Sequence, residues 1–515
     1  MATKSAITIG NQSAAGKAST DLLTHHTDYG TDIFPDGDLR TRVWSELVTR
    51  DAREKNTFAK FIGGEGSGKP IVEKRDLSAG GTDKVTFTTV APIRGQGVRG
   101  EEILKNSTGK LKFGTFSVEV DLLRHAVAWT QVIKLMRFTG KTLDQLSAEV
   151  MSEWAGRTEQ DHLMYVLRDT GLRAGSSNLI SNYGTGNVTG ALKYSEGLST
   201  DIIQESKQAL ISQGGQPMNT GGDINQEIPG YLFFAPDACL RPLRSDPDYL
   251  DAIMMADSRS ESNKLYSGSY AKWDNNIIAN HNTLIDTADG RQGSPLLPTV
   301  LFDATLNTLG VVPGSINPAV GGEILGTGDA MANFCGASVR IPGGGGALLD
   351  TPAVNPIAAT NNFHVAVINN SAAREMALFE VTVDASLEKL VIVSDQTAAI
   401  TDAAMAAAGA ALIDGAGNYV FAEGSQIVQA NEIGTPIGYA LAMGEGALYY
   451  AKGSVFNEQI FHYDDFANSG NDAHLNAVGL QSVYGFAAYQ DTRGRWPGLQ
   501  LVECVRQIPG LSLDN

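Results

Sequence analysis

Two alternating segments, separated by a long glycine-rich stretch, constrain the fold of this 515-residue chain most strongly. In DKVTFTTV (83–90) and KLKFGTFSVEVDL (110–122), apolar residues alternate with polar ones, which predicts two strands. The apolar parity of the second segment switches at Gly114, which predicts a β-bulge there. About 20 residues lie between the segments, more than a hairpin turn needs. The pattern therefore predicts a long antiparallel hairpin over 83–122, whose apolar face requires another surface to cover it.

Between the two strands, GQGVRG (95–100) matches the G-x-G-x-x-G pattern of dinucleotide-binding turns. Such a turn needs a helix that begins at its last glycines, yet only eight residues separate Gly100 from Gly109. Glu119, at the spacing of a ribose-binding carboxylate, falls within the second strand and suits a cross-strand pair better. We therefore interpret the glycines as the tip of the hairpin and predict no nucleotide cofactor.

A second glycine-rich run, GGEGSGKP (63–70), fits the phosphate-binding pattern G-x-x-x-x-G-K as far as Lys69. Pro70 stands where that pattern requires a serine or threonine whose hydroxyl binds magnesium. Proline also disfavours helix at the preceding residue, and IVEKRDLSAGG, which follows, has no helical pattern. The run is therefore predicted to be a loop.

The sequence contains no convincing catalytic or metal-binding group. Its best metal-binding arrangement is His462 with Asp464 and Asp465, for which a solvated turn is the better interpretation. The adjacent carboxylates Glu101 and Glu102 lie in a predicted loop, where charges are ordinarily solvated. Neither H-E-x-x-H nor G-x-S-x-G occurs. We therefore predict a protein that is not an enzyme, with no catalytic residues, metal or cofactor.

Composition narrows the class of protein further. A net charge of −18 makes the chain a poor candidate for gripping nucleic acid over its whole surface. The three cysteines, Cys239, Cys335 and Cys504, are far apart and predict neither a disulfide framework nor a metal site. The start of the chain lacks the apolar core of a signal peptide, and no apolar run is long enough to span a membrane. These features predict folding in a reducing cytoplasm.

Outside the hairpin, periodicity and helix-end signals predict the remaining elements. A long helix over 141–171 begins with a capping box, Thr142 with Gln145, and ends at Gly171. The other predicted elements are a polar arm over 1–40, a short helix over 41–61, a helix over 201–215, a buried strand and turn over 231–243, and a helix over 246–256.

Most of the charge imbalance lies between residues 291 and 470, which carry far more acidic than basic side chains. Here FHVAVINN, MALFEVTV and LEKLVIVSD predict strands, TDAAMAAAGAAL predicts a helix, and IPGGGG predicts a loop. This composition indicates an inserted β-rich subdomain. Nearer the C-terminus, 480–508 predicts two strands joined by a tight turn at Thr492–Gly494.

The order of these parts resembles the major capsid protein of tailed bacteriophages, with the Hong-Kong-97-type fold. The segments that carry the resemblance are TRVWSELVTRDAREKNTFAKFIG, the run from KRDLSAGG to DLLRHAV, and FHYDDFANSGNDAHLNAVGLQSVYGFAAYQ. The resemblance is strongest to the coat proteins of N-four-like phages, whose shared elements fall on Phe61–Gly63, Asp76–Leu77, Val85–Phe87, Gly95–Gly100 and Arg124. It covers about 40–290 and 440–510, whereas 295–440 departs from it.

The resemblance implies an α+β capsid fold with six regions. These are an N-terminal arm and short helix (1–60), an extended E-loop hairpin with flanking strands (61–124), a peripheral domain with a long spine helix (125–197), an axial domain (198–294), the inserted acidic subdomain (295–440), and the rest of the axial domain with C-terminal peripheral strands (441–515). It also implies that the hairpin tip contacts a neighbouring subunit. The tip residues expected at this contact are Arg94, Gly95, Gly97, Arg99, Gly100, Glu101, Glu102 and Lys105.

The implied function is self-assembly of hexamers and pentamers into an icosahedral head shell around double-stranded DNA. An acidic chain would contact that DNA only weakly on the inner face. Portal and scaffolding proteins are the expected partners, a decoration protein is a further candidate, and the protein would be assembled in the host cytoplasm without a membrane. Two alternatives stay open: an encapsulin-like nanocompartment shell that encloses cargo protein, and a nucleotide-dependent enzyme.

Overall fold

The computed structural model combines helices with several sheets, which confirms the predicted α+β class. The described residues belong to two compact units, one drawn from Leu122–Gln160 and Phe456–Val483, the other from Phe58–Asp121, Asp161–Val455 and Tyr484–Asn515. The structure describes residues 57–74, 84–91, 112–130, 143–174, 178–180, 192–218, 230–257, 272–281, 295–297, 299–301, 315–321, 323–325, 362–371, 373–383, 390–401, 405, 407, 409, 412–422, 425–452, 459–463, 475–491 and 495–508.

The helices and strands of this described part are as follows. The α-helices are α1 Leu143–Ala174, α2 Thr200–Gln213, α3 Asp237–Leu240 and α4 Pro247–Asp257, and 3₁₀ helices occupy Thr57–Phe61, Arg241–Ser245 and Thr397–Ala399. The strands are β1 Ile62–Gly64, β2 Ile71–Lys74, β3 Lys84–Ala91, β4 Lys112–Glu119, β5 Asp121–Thr130, β6 Leu179–Ile180, β7 Tyr231–Pro236, β8 Lys272–Trp273, β9 Asn276–His281, β10 Thr299–Leu301, β11 Ser315–Ile316, β12 Glu323–Leu325, β13 Phe363–Ile368, β14 Met376–Val383, β15 Leu390–Asp395, β16 Tyr419–Val420, β17 Gln426–Ala430, β18 Ile437–Met443, β19 Leu448–Lys452, β20 Gln459–Tyr463, β21 Leu475–Ala488 and β22 Leu499–Val505.

The long helix is present, but the prediction that it ends at Gly171 is wrong. Helix α1 has 32 residues and continues through Gly171 to Ala174. A Cβ atom at position 171 would lie 2.6 Å from Leu501 Cβ, so this glycine allows strand β22 to approach the helix closely. The predicted capping residue Thr142 lies outside the described residues, as do the polar arm and most of the short helix predicted over 41–61.

The second half of α1 is buried on all sides, as expected for a helix in the middle of a packed unit. Every residue from 162 to 169 is buried. His162 and Tyr484 share a buried hydrogen bond of 2.9 Å between Nδ1 and the phenolic oxygen. The buried guanidinium of Arg168 donates from Nη1 to the carbonyl of Pro295 at 2.7 Å. Polar side chains therefore tie this half of the helix to its surroundings within the same unit.

Helix α2 has the predicted glycine stop. Gly214 adopts a left-handed conformation with φ of 90° and donates its N–H to Ile211. The N–H of Gly215 reaches back to the Leu210 carbonyl at 2.9 Å, which completes a Schellman motif. At the other end, the Asp246 carboxylate accepts from the Thr200 N–H at 2.6 Å and, through its other oxygen, from the Asp248 N–H at 3.1 Å. One carboxylate therefore caps the N-termini of both α2 and α4.

A mixed six-stranded sheet, in the order β6-β22-β18-β7-β9-β8, forms the largest core of the second unit. The predicted buried strand is β7, in which all six residues are buried. Alternate β7 residues, including Phe233, pack with Ile203, Leu210 and Val502 in one apolar cluster. Phe234 lies on the opposite face, with its ring centroid 4.4 Å from that of Phe58. Because both faces are covered, β7 is a continuous apolar run rather than an alternating one.

The strands predicted within the acidic segment are confirmed as β13, β14 and β15. They belong to a six-stranded sheet in the order β10-β17-β13-β14-β15-β12, in which all neighbouring strands are antiparallel. Along β13, Val365 and Val367 pack in one buried cluster, and Ala366 and Ile368 pack in another. This sheet is therefore covered on both of its faces, like the first.

The helix predicted over TDAAMAAAGAAL is wrong where the structure describes that segment. Ala407, near the middle of this segment, forms a parallel β-bridge with Met376 of β14. Alanine's helix propensity amounts to less than 1 kcal/mol per residue over most other residues, so tertiary pairing with a strand readily overrides it.

The two C-terminal strands exist as β21 and β22, but they join different sheets instead of pairing with each other. The last five residues of β21 pair with β19, whereas β22 pairs with β18 and β6. Between them, the Asp491 N–H donates to the Arg495 carbonyl at 2.8 Å, and their side chains form an ion pair at 3.1 Å. In the first unit, β20 and β5 both pair with β21.

Candidate assembly hairpin

The hairpin predicted over 83–122 is confirmed by the antiparallel pairing of β3 with β4. Its register is unbroken from Lys84 opposite Glu119 to Ala91 opposite Lys112. The β-bulge predicted at Gly114 is wrong, because Gly114 pairs with Thr89 without a shift of register. The cross-strand pair expected of Glu119 is confirmed, since its carboxylate lies 2.5 Å from the Lys84 amine.

The change of parity at Gly114 has a different cause, which is that the apolar side chain just before it lies on the exposed face of the ribbon. Phe113 lies opposite Val90, on the face away from the buried residues, and its side chain is 66% exposed. Phe116 and Val118 lie on the other face, where Val118 is fully buried. The ribbon therefore has a covered face near its base and an exposed aromatic side chain farther along.

The base of the hairpin is anchored within its own subunit. Val85, Phe87 and Val118 are at most 3% exposed and pack with Val72 of β2 and Ala451 of β19. Burying an apolar side chain of this size stabilises the folded state by about 1.5–3 kcal/mol. Because a two-stranded ribbon is only marginally stable alone, this cluster is what holds the base in place.

Four aromatic rings reinforce the anchor. The ring of Tyr449 lies 4.8 Å from that of Phe87 in an edge-on arrangement and 5.5 Å from that of Phe116. Tyr489 lies 6.0 Å from Phe116 and 5.9 Å from Tyr449. Burial, ahead of the nearby Tyr489, Glu445 and Glu65, raises the pKa of the Tyr449 hydroxyl, so this group stays neutral at physiological pH.

Lys74 of β2 makes polar contacts that also hold the base of the hairpin in place. Its amine donates to the Thr86 carbonyl at 3.0 Å, lies 3.3 Å from the Glu65 carboxylate, and lies 5.5 Å from the centre of the Phe87 ring. One cation thus links β2, the loop before it and β3. This contact could not be predicted from the sequence, because alternation identifies the strands but not the surface on which they pack.

The residues predicted to contact a neighbouring subunit belong to the tip between β3 and β4. All of them lie outside the described residues, as does the GQGVRG run to which several belong. Their role therefore stays a prediction. The described hairpin supplies the two strands from which the tip extends.

The second glycine-rich run is a loop over residues 65–70 between β1 and β2. No helix follows Lys69, as the sequence predicts, and strand β2 begins at Ile71. The Lys69 carbonyl accepts from the Gly446 N–H at 3.1 Å, and its amine donates to the Lys60 carbonyl at 3.5 Å. Both ends of this lysine thus contact the protein's own backbone.

The described residues contain no group of three or more histidine, cysteine, aspartate or glutamate side chains placed to hold a metal ion. His462 lies in β20, and its proposed companions Asp464 and Asp465 lie outside the described residues. In the same described part, no helix is both long enough and apolar enough to cross a membrane.

One pairing of chemically reactive side chains was missed by the sequence analysis. Cys239 of α3 and Cys504 of β22 are both fully buried in the same apolar cluster. Their separation along the chain gave no indication of this contact, because it depends on the order of strands in the central sheet.

Comparison with known proteins places these features in a family. The model of the phage capsid protein family matches residues 37–296, which is about half of the chain. The solved capsid of Ralstonia phage GP4 is similar, with 13% identity over 89% of this chain and 93% of that chain and a TM-score of 0.48.

Two further solved structures are similar at the same level. The capsid of cyanophage Pam1 has 11% identity over 88% of this chain and 93% of that chain, with a TM-score of 0.48. The head of Helicobacter pylori bacteriophage KHP40 has 10% identity over 88% of this chain and 92% of that chain, with a TM-score of 0.46. No curated protein matches the sequence. On the family match, this chain belongs to the phage capsid protein family and is a major capsid protein, a structural component of the phage head shell.

Proposed function

We propose that this major capsid protein forms an icosahedral shell around double-stranded DNA, in which each hairpin reaches across to a neighbouring subunit. The observation that carries the proposal is the contrast along the hairpin. Val85, Phe87 and Val118 anchor its base within the subunit, whereas Phe113 is 66% exposed farther along. A ribbon that ends in an exposed ring and a charged tip needs a second surface to cover it.

The tip would supply specificity to this contact. Arg94, Arg99, Glu101, Glu102 and Lys105 carry both signs of charge and lie among glycines that let a backbone follow a partner closely. Closed hexamers and pentamers repeat the contact in every copy, so a modest energy per contact is multiplied around each ring.

The net charge of −18 suits a container for DNA. A strongly basic inner wall would bind the polyanion tightly and resist its release, so the DNA contact should be weak. Portal and scaffolding proteins are the expected partners during assembly in the host cytoplasm, and a decoration protein is a further candidate. We assign the protein no catalytic step, and the N-four-like branch stays a prediction.

We place the acidic segment over 295–440 on the outer face of the shell or at the capsomer tips, because its charge favours solvent. Limited proteolysis of intact particles should then cut near IPGGGG (341–346). If that segment is cut only after the particles are disrupted, it does not lie on the outer surface.

The double variant Arg94→Glu and Arg99→Glu tests the hairpin contact. Exposed loop charges alter monomer stability by less than about 0.5 kcal/mol, so circular dichroism should be unchanged. Assembly should fail, because the reversed charges recur in every subunit. The matched control, Arg94→Lys with Arg99→Lys, keeps the charge and should assemble. Particles of normal sedimentation from the glutamate variant would refute the contact, whereas a misfolded monomer would indicate a tip packed within its own chain.

The DNA content of native particles is a separate question. Purified particles treated with nuclease should retain protected double-stranded DNA. Particles that contain cargo protein and no protected nucleic acid would instead support a nanocompartment.

A further inference from the structure

The fold brings two cysteines together in the core of the second unit. Cys239 belongs to the short helix α3, directly after β7, and Cys504 belongs to β22. Both side chains are fully buried among apolar neighbours such as Leu240 and Ala440. Strand β18 lies between β7 and β22 in the sheet, and α3 packs over it.

Three contacts fix the relative position of the two thiols. Gly438 is the cross-strand partner of Cys504, and paired residues direct their side chains to the same face, with Cβ atoms about 4.5–5.5 Å apart. A Cβ atom at Gly438 would lie 2.7 Å from Cys239 Sγ, so this sulfur occupies the space beside the Cys504 side chain. The Gln507 N–H donates to the Ala238 carbonyl at 3.0 Å, which holds the two backbones together.

The surroundings of Cys504 favour the neutral form of its thiol. Burial, then the hydrogen bond and the charge of Cys239, and then Glu503, raise the pKa of the Cys504 thiol well above its ordinary value. Arg506 is also buried, which lowers the pKa of its guanidinium to about 10 and leaves it charged at neutral pH. The Cys504 thiol therefore keeps its proton at neutral pH.

We propose that Cys239 and Cys504 form an oxidisable pair that closes to a disulfide after the shell leaves the reducing interior of the host. The timing rests on the proposed assembly in the host cytoplasm, but the chemistry depends only on the contact. Full burial restricts the oxidant to a small molecule, for which hydrogen peroxide is the simplest example.

The reaction proceeds in two balanced steps. The Cys239 sulfur attacks one peroxide oxygen as its thiol proton is lost, and the O–O bond breaks. The departing hydroxide takes up that proton, so a sulfenic acid and one molecule of water form. The Cys504 sulfur then attacks the sulfenic sulfur and the S–O bond breaks. The departing oxygen leaves as water with the Cys504 proton. Overall, two thiols are oxidised to one disulfide, and one peroxide is reduced to two molecules of water.

The bond would join α3 to β22 across β18. Because the two residues lie far apart in the sequence, the link closes a long loop and restricts the unfolded chain strongly. The oxidised subunit should therefore resist unfolding better than the reduced one, without any change in the surface that it presents to its neighbours.

Peptide mapping tests the proposal directly. Assembled particles and unassembled subunits are treated with hydrogen peroxide, denatured without reductant in the presence of an alkylating agent, digested and analysed by mass spectrometry. The expected result is a peptide containing Cys239 linked to one containing Cys504, released by dithiothreitol, with Cys335 alkylated. Alkylation of both Cys239 and Cys504 after oxidation, or linkage of either to Cys335, would overturn the proposal. Because unassembled subunits are included, the result does not depend on shell formation.

Single variants separate the pair from other sources of stability. Cys335→Ser should keep both the cross-link and the higher melting temperature of the oxidised protein. Cys504→Ser should lose both, while its reduced form keeps a normal circular dichroism spectrum. An equal gain in melting temperature for oxidised Cys504→Ser would count against the bond as its source. If this variant does not fold, the peptide map of the unmodified protein still tests whether Cys239 and Cys504 are linked.

Discussion

Replacing Phe87 with alanine should detach the hairpin from its own subunit while the rest of the chain stays folded. The Phe87 ring is 1% exposed, packs edge-on against Tyr449 at 4.8 Å, and lies 5.5 Å from the Lys74 amine. Truncating a buried phenylalanine costs about 3–5 kcal/mol, of which an aromatic pair supplies about 0.5–1.5 kcal/mol. Because β3 pairs only with β4 among the described strands, this cost falls mainly on the local opening of the hairpin.

A loss of about 3 kcal/mol increases the population of the opened hairpin by roughly two orders of magnitude. Hydrogen exchange followed by mass spectrometry measures this directly in peptides that cover β3 and β4. We expect their exchange to accelerate about a hundredfold, while exchange in residues 162–169 of α1 stays unchanged. Unchanged exchange in β3 would refute the anchoring role of Phe87, and equal acceleration in α1 would show that the loss is global.

Phe113 provides the matched control on the same ribbon. Its ring is 66% exposed, so Phe113→Ala should change the monomer's free energy of unfolding by less than about 0.5 kcal/mol and leave exchange in β3 as it was. Particle yield should fall, because the ring belongs to the face that we assign to a neighbouring subunit. A normal yield of particles from this variant would contradict that assignment.

Three further variants test contacts elsewhere in the second unit. Gly171→Ala should lower the melting temperature although alanine favours helix by about 1 kcal/mol, because its Cβ would lie 2.6 Å from Leu501 Cβ. The loss should be smaller in a Leu501→Gly background, which lacks that atom, and a higher melting temperature for Gly171→Ala alone would contradict the prediction. Burial raises the pKa of Glu503 to about 7 from 4.5, so the native state keeps a proton that the unfolded state has lost, and stability falls as pH rises between these values. Glu503→Gln should remove this fall, and urea denaturation at several pH values measures it as the change in the free energy of unfolding with pH. The same pH dependence in both proteins would contradict the role of Glu503. Asp246→Ala should lower the free energy of unfolding by about 1–2 kcal/mol, measured by urea denaturation, because it removes the N-terminal caps of two helices. Asp248→Ala keeps both caps and should lower it less. Equal losses for the two variants would refute the double cap.

Sequence periodicity predicted the hairpin, the long helix and the strands of the acidic segment, because each depends on residues that are close together along the chain. It failed where contacts between residues far apart in the sequence determine the structure. Gly171 resembles a helix stop in the sequence, but the approach of Leu501 explains it. The parity switch at Gly114 resembles a bulge, but it arises because Phe113 lies on the exposed face of the ribbon.

The same reason explains why the anchor of the hairpin and the cysteine pair were missed. Tyr449 and Phe87 meet only because β19 and the hairpin pack together, and Cys239 meets Cys504 only through the order of the central sheet. The tip residues were predicted from the resemblance to a family and from their charges. Neither source says where these residues lie in space.

The two ends of the acidic segment lie side by side. At its start, the Leu296 carbonyl accepts from the Tyr439 N–H at 2.9 Å, and at its end the Pro436 carbonyl accepts from the Arg506 N–H at 2.9 Å. Only two residues separate Pro436 from Tyr439, so the chain leaves the central sheet and returns to almost the same place. A segment with such adjoining ends can be exchanged for a foreign domain, or replaced by a short linker, without pulling the sheet apart. Phage lineages could vary this part of the coat freely, and a displayed protein could be grafted there, provided that the replacement still covers Tyr194, which the segment helps to bury.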